Sequence, residues 1–323
     1  MRPSEGGHVE MRPVRRVREA MSIRRPRSGK TGGRQGSFCE ETSLMCRYCV
    51  EHGEGKEWFA AARNFAAGHM SDVARTEATR AFLRTLHGQR PALTATTLRY
   101  AMCFGLYYEM MKLPLVSRVL RRFSNRFWQE HHFGQVLTLD EARRAIAAAG
   151  HVTMLTCWCR KQAVGQEERS CMGLGAWGEF VSRELPFDRR QEVSVAEAQG
   201  IVERYHRDGC YQSIWTLRTP FLAAICNCND RVCFGRYVQR GLGAEQVLVP
   251  GHMRIRIESE RCQGCGECVA VCPFGALRVN GRRRGAKAGL RGPCYGCGLC
   301  LSRCPAQAIV RAELDARHAD TSS

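Results

Sequence analysis

One cysteine pattern is written twice near the C-terminus, and it constrains the chain more than any other feature. Cys262-x2-Cys265-x2-Cys268-x3-Cys272-Pro273 returns as Cys294-x2-Cys297-x2-Cys300-x3-Cys304-Pro305. The offset is 32 at every matching position, and it also pairs Gly264 with Gly296, Gly266 with Gly298 and Ala276 with Ala308. Three thiols at i, i+3 and i+6 need a loop that wraps one face of a cofactor. The spacing is the bacterial run for paired 4Fe–4S clusters, in which the fourth cysteine of each run serves the other cluster. The predicted ligand sets are therefore Cys262, Cys265, Cys268 and Cys304 on the first cluster and Cys294, Cys297, Cys300 and Cys272 on the second. The loop glycines permit positive φ, and Pro273 and Pro305 end the turns that present the fourth thiolate. Disulfides are the competing reading for an exported chain, but no apolar signal region follows the N-terminal arginines. Zinc more often takes two CxxC pairs set farther apart.

The 323 residues suffice for two or three domains, and 44% hydrophobic with 25% charged residues is ordinary globular composition. Net charge is +18. Such a balance suits acidic protein partners, nucleic acid or anionic headgroups, and says nothing about fold. No apolar stretch is long enough to span a bilayer. The nearest, residues 100–116, is interrupted by Glu109, Lys112 and Pro114. The expected location is cytoplasmic, although an arginine-rich leader also suits an organellar transit peptide. HExxH and GxSxG motifs are absent, which leaves no signature for those enzyme classes.

The predicted fold class is α+β: a mainly helical N-terminal region, a small α/β middle domain with cysteines, and a C-terminal dicluster domain with an internal pseudo-two-fold repeat. Residues 1–37 read as a disordered basic arm. Residues 45–150 read as helical, opening on Cys46-x2-Cys49, with helices over 58–70, 71–87 and 115–132. Thr138 and Ser194 each begin a capping box, with Glu141 and Glu197 three residues on. The middle domain spans 151–250, with strands at 151–156, 214–217 and 221–225. The dicluster domain spans 251–312. Met253, Ile255 and Ile257 alternate with charged residues as in an edge strand, whose expected partner is 277–279, repeated at 308–310. Residues 281–292 read as a basic surface loop, and 313–323 as a tail.

Six further cysteines form a second constellation: Cys157-x-Cys159-x11-Cys171 and Cys226-x-Cys228-x4-Cys233. Thiols at i and i+2 on an extended segment point to one side. Together they suggest an additional site, a third 4Fe–4S cluster or a zinc ion, built across two strand ends. Buried free cysteines in a core are the alternative. Arg160, Arg231 and Arg236 stand close enough in sequence to stabilise thiolates. Cys103 and Cys210 stand alone and read as structural.

The C-terminal region resembles bacterial dicluster ferredoxins. The upstream part is similar to uncharacterised bacterial and archaeal 4Fe–4S-binding proteins in four stretches: residues 46–56, His132-Phe133-Gly134-Gln135-Val136, Cys157-Trp158-Cys159-Arg160 and Ile225-Cys226-Asn227-Cys228. The resemblance implies electron transfer through the dicluster region, as a carrier or an oxidoreductase subunit. An acidic redox protein or oxidoreductase subunits would then be the partners. Two departures stand against a standard ferredoxin partner: the chain is basic, and 281–292 enlarges the link between the cluster loops. An oxidoreductase with its active centre at the middle cysteines is the second reading. The third is a redox-sensing or nucleic-acid-binding iron–sulfur protein, for which the arm lacks the stacking aromatics that single-strand binders use.

Overall fold

The computed structural model describes residues 55–60, 62–66, 110, 113–131, 133–184, 191–217, 221–242, 245–281 and 286–312. The arm, Cys46 and Cys49, the 71–87 helix, Cys103 and the tail lie outside them. The described residues fall in one compact unit. The architecture mixes helices and sheets, as an α+β chain should.

Its centre is a seven-stranded sheet in the order β4-β2-β3-β6-β5-β1-β7. The strands are β1 (Gly134–Leu137), β2 (Val152–Leu155), β3 (Cys171–Leu174), β4 (Gln191–Val193), β5 (Tyr211–Thr216), β6 (Leu222–Cys228) and β7 (Leu248–Val249). All neighbours are antiparallel except β1 and β7. The sheet thus takes in Gly134–Leu137 from the stretch read as helical. The four residues of β1 are buried throughout, and so short a run carries no alternation to mark it as a strand.

Ahead of β1 runs α1 (Pro114–His131). One face of the sheet carries α2 (Leu139–Ala149) and α5 (Val195–Arg207), each opened by the expected capping box. In both boxes the cap hydroxyl accepts from the N3 amide, while the N3 glutamate accepts from the cap amide. Ile146, Ala198 and Val202 from these helices pack on Met154, Met172, Ile214 and Ile225 of the sheet. Hydrophobic burial of this kind contributes about 25 cal/mol per Å² and is what holds the layer.

The opposite face carries α3 (Trp158–Val164), α4 (Gly175–Glu184) and α6 (Phe234–Leu242), together with the C-terminal segment. That segment holds two small ribbons. β8 (Arg254–Ile257) pairs with β11 (Ile309–Ala312), and β9 (Leu277–Asn280) pairs with β10 (Lys287–Leu290). The pairing of the 253–257 strand with 277–279 is therefore wrong: β8 takes its partner from after the second cysteine run. Nor is 281–292 wholly loop, because Lys287–Leu290 is a strand. Its lysine and two small residues gave no hydrophobic alternation, and cross-strand pairing with β9 supplies the order that propensity does not.

Candidate metal centres

Two five-residue helices, α7 (Glu267–Val271) and α8 (Leu299–Arg303), present the C-terminal thiols. Each is preceded by a glycine at φ 81°, Gly266 and Gly298, and each is followed by an extended cysteine, Cys272 and Cys304. The loops ahead of them press on neighbouring backbone. A Cβ on Gly264 would lie 2.0 Å from Ala286 O, and one on Gly296 would lie 2.6 Å from Met253 O.

This folding gathers Cys262, Cys265, Cys268 and Cys304 around one small, partly open recess. Cys272, Cys294, Cys297 and Cys300 surround a second recess of the same kind. Each wall thus includes the fourth cysteine of the other run. Backbone amides aim at the sulfurs: Ala308 N–H donates to Cys304 Sγ at 3.2 Å, Ala276 N–H to Cys272 Sγ at 3.4 Å and Ala288 N–H to Cys262 Sγ at 3.4 Å. Burial raises the Cys268, Cys294 and Cys297 thiols and pushes Cys300 up to about 12. Left alone these thiols hold their protons, and a metal cation would have to displace them.

Among the described residues no three ligand-type side chains converge on a point that one ion would fill. Four thiols standing apart around a void, with amides directed at them, fit a polynuclear cofactor that brings its own bridging sulfides. The residues present therefore fit a 4Fe–4S cluster in each cavity.

The middle cysteines meet on the sheet face opposite α2 and α5. Cys171 on β3 lies directly across from Cys226 on β6, and Cys228 lies across from Tyr211 on β5. Cys157 forms the N-cap of α3 and Cys159 lies in its first turn. Cys157 is held well below the usual thiol range, chiefly by hydrogen bonds from Cys159 and Cys171, with the Arg160 amide assisting. The reciprocal contacts raise Cys159 and Cys171, and Cys171 also bonds to Cys226.

Cys228 and Cys233 form an adjoining pair. Their mutual hydrogen bond raises Cys228 and brings Cys233 down to about 7, helped by the Tyr211 hydroxyl and the amides of Arg236 and Gly235 in the first turn of α6. The Phe234 amide from the same turn donates to Cys159. A helix N-terminus aimed at sulfur favours negative charge there. All six cysteines are thus brought onto one patch, four of them in a string of contacts and two beside it.

The arginines act differently from their place in the sequence. Arg160 turns away from the Cys157–Cys159 pair. Its guanidinium bonds Ser170 Oγ at 3.1 Å, Asn227 O at 3.2 Å and Cys210 Sγ at 3.6 Å, and pairs with Glu168 at 3.2 Å. It clamps α3 to β3 and β6, and Cys210 is part of that clamp. Arg231 caps a turn through its amide, which donates to Asn229 Oδ1. Arg236 reaches Cys233 only through its amide. Its guanidinium lies over the Phe274 ring at 5.0 Å and the Tyr295 ring at 5.4 Å, and pairs with Asp230 at 3.2 Å.

Phe274 and Tyr295 both line the second cavity. They stack at 4.1 Å with ring planes 3° apart, and Phe274 meets Tyr211 at 4.9 Å. Tyr211 is fully buried. Its hydroxyl lies close to the Cys233 thiol, outside good hydrogen-bond geometry, and Oη has no other partner among the described residues. No motif in the sequence marks these aromatics. The one available signal was the position of Phe274 and Tyr295, each immediately following a proline or cysteine of the duplicated runs.

Residues 249–310 match the family model of the 4Fe–4S dicluster domain, so the C-terminal segment is a dicluster iron–sulfur domain. No curated protein and no solved structure matches the chain. Among the described residues no helix is long and apolar enough to cross a membrane.

Proposed function

We propose that the protein is an electron carrier, or the electron-transfer subunit of an oxidoreductase, with a 4Fe–4S cluster in each C-terminal cavity. A further metal centre would lie among Cys157, Cys159, Cys171, Cys226, Cys228 and Cys233. The pair of four-thiol cavities carries this reading. The 32-residue offset and the matching glycine caps support an internal pseudo-two-fold repeat. When bound, a 4Fe–4S cluster supplies a one-electron couple whose potential follows charge, sulfur hydrogen bonds and exposure. The chain's part is to hold the thiolates and to aim the Ala276, Ala288 and Ala308 amides at them, which favours the added negative charge of the reduced state.

The middle set offers the same soft thiolate donors, which suit either a further 4Fe–4S cluster or a zinc ion. The net charge of +18 suits an acidic redox partner. Some of the basic residues around the first run are already engaged, since Glu258 binds both Arg256 and Arg261.

Anaerobic purification with iron, sulfide and zinc counts, followed by EPR of the reduced protein, tests the assignment. About eight irons confine the clusters to the C-terminal domain, and about twelve add a middle cluster. Absence of iron from the Cys262–Cys304 region would end the reading. Reduction by an acidic carrier should slow as salt rises, because screening weakens charge steering. A rate indifferent to salt removes the acidic partner from the proposal.

A further inference from the structure

Among the described residues two guanidiniums are buried, those of Arg160 and Arg236. Arg160 spends its donors inside the sheet layer, on Ser170, Asn227, Cys210 and Glu168. Arg236 is different, because it leans from α6 onto the dicluster segment. It covers the rings of Phe274 and Tyr295, which stack on each other and line the second recess. A cation over ring faces is favourable in itself.

The guanidinium is also held in place. Its Nε donates to Asp230 Oδ1 at 3.2 Å and its Nη1 to Gln239 Oε1 at 2.5 Å. Gln239 Nε2 in turn donates to Tyr295 Oη and to Leu248 O, both at 2.9 Å. Asp230 does not cancel the charge, since its other oxygen accepts from Arg240 at 2.6 Å. Two guanidiniums thus share one carboxylate, and the buried one stands nearer the cysteine loops' aromatic wall.

The second recess has reason to need a cation. Its Cys297 and Leu299 pack into the core with Trp128, Val136, Tyr211 and Trp215, whereas Cys265 of the first recess is exposed. Burial penalises added negative charge, and a fixed positive charge alongside offsets that penalty. Arg254 contributes to the field at Cys294 as well, but it lies on β8 within the dicluster domain itself.

We propose that Arg236 sets the reduction potential of the second cluster, the one held by Cys272, Cys294, Cys297 and Cys300, raising it while leaving the first cluster nearly untouched. This rests on the dicluster reading and is independent of what the middle thiols hold. The step concerned adds one electron from an external reductant to the oxidised cluster, with no bond made or broken. At an effective dielectric of about 20, removal of a unit charge this close shifts such an equilibrium on the order of tenfold. For one electron that is about 59 mV.

The full-length protein, purified anaerobically, is counted for iron and titrated against potential with a chemical one-electron reductant, by visible absorbance and EPR. Well under eight irons in the wild type overturns the dicluster reading, and this inference with it. With eight or more, Arg236→Gln should move one wave of the titration to lower potential and leave the other in place. Arg236→Lys, which keeps the charge, should bring that wave back toward the wild-type midpoint. Cys265→Ser alters the first site alone and so marks which wave belongs to it.

An Arg236→Gln protein with its full iron and unmoved midpoints overturns the inference and leaves the dicluster reading intact. The same holds if both waves move together, or if the wave that moves belongs to the first cluster. Should Arg236→Gln lose iron, Asp230→Asn decides. It keeps the shape of the side chain, removes the counter-charge and should raise the midpoint of the second cluster. An unmoved midpoint in that variant overturns the proposal.

Discussion

At the scale of single residues, the glycines of the first cysteine run separate two causes that a sequence cannot separate. Gly264 and Gly266 both have positive φ, 69° and 81°. An added Cβ on Gly264 meets a backbone carbonyl oxygen at 2.0 Å, whereas on Gly266 the nearest atom is Val279 Cγ2 at 3.9 Å. Gly266→Ala should cost about 1–2 kcal/mol of left-handed strain and keep the first cluster. Gly264→Ala must push Ala286 and β10 aside and should lose it. Iron counts on the two variants check this, and equal iron in both would show that space at Gly264 is not what matters.

His206 makes a second, independent case. Burial lowers its pKa from 6.5, with Arg303 acting in the same direction and Gln212 and Asp140 opposing. The folded state therefore prefers neutral imidazole, and the unfolded chain takes up a proton at higher pH. The stability that this supplies is complete above about pH 6.5 and is lost as pH falls through the lowered folded value. Melting temperatures from about pH 7.5 to 5 should fall more steeply for the wild type than for His206→Gln. Parallel curves would mean that the imidazole is not the group that titrates.

At the scale of elements, the helix starts were the most legible part of the chain. Thr138 and Ser194 stand three residues before Glu141 and Glu197, and both capping boxes form as written. Removing either hydroxyl should cost about 1 kcal/mol, within a range of about 0.5–2. Thr138→Ala should lie at the upper end because Thr138 is buried while Ser194 is exposed. Urea midpoints of the two variants measure the difference, and a larger loss at Ser194 would reverse the ranking.

The cysteine runs were equally legible, because ligand spacing is a local property of the loop. Strand pairing was not. β8 alternates cleanly, but the choice between 277–280 and 309–312 as its neighbour depends on the path of the intervening chain. β10 has no pattern of its own and is a strand only by its ladder with β9. The meeting of the six middle cysteines was foreshadowed by their spacing, whereas the role of Arg236 was not. Its amide and guanidinium serve different neighbours, and only the turn into α6 decides which.

At the scale of the molecule, the dicluster domain shares a core with the sheet. Cys297 and Leu299 pack in one buried cluster with Trp128, Val136, Tyr211 and Trp215. The two parts are also close enough that a Cβ on Gly251 would lie 2.3 Å from Val136 O. The visible ion pair across the join, Arg311 with Asp140 at 2.6 Å, is more than half exposed on both sides and is worth about 0–1 kcal/mol. Packing therefore dominates, and Leu299, fully buried, is its best handle. Leu299→Ala should cost about 2–5 kcal/mol. Because the core is common, the loss should appear in both parts at once. Cluster absorbance and far-ultraviolet dichroism should melt together in the wild type, and both should shift down by the same interval in the variant. If the absorbance bleaches early while the sheet signal keeps its midpoint, the dicluster segment is an appended module and the shared core does not couple them. A common shift would make the sheet and the cluster loops one cooperative body, in which loss of the clusters weakens the platform that holds the middle thiols.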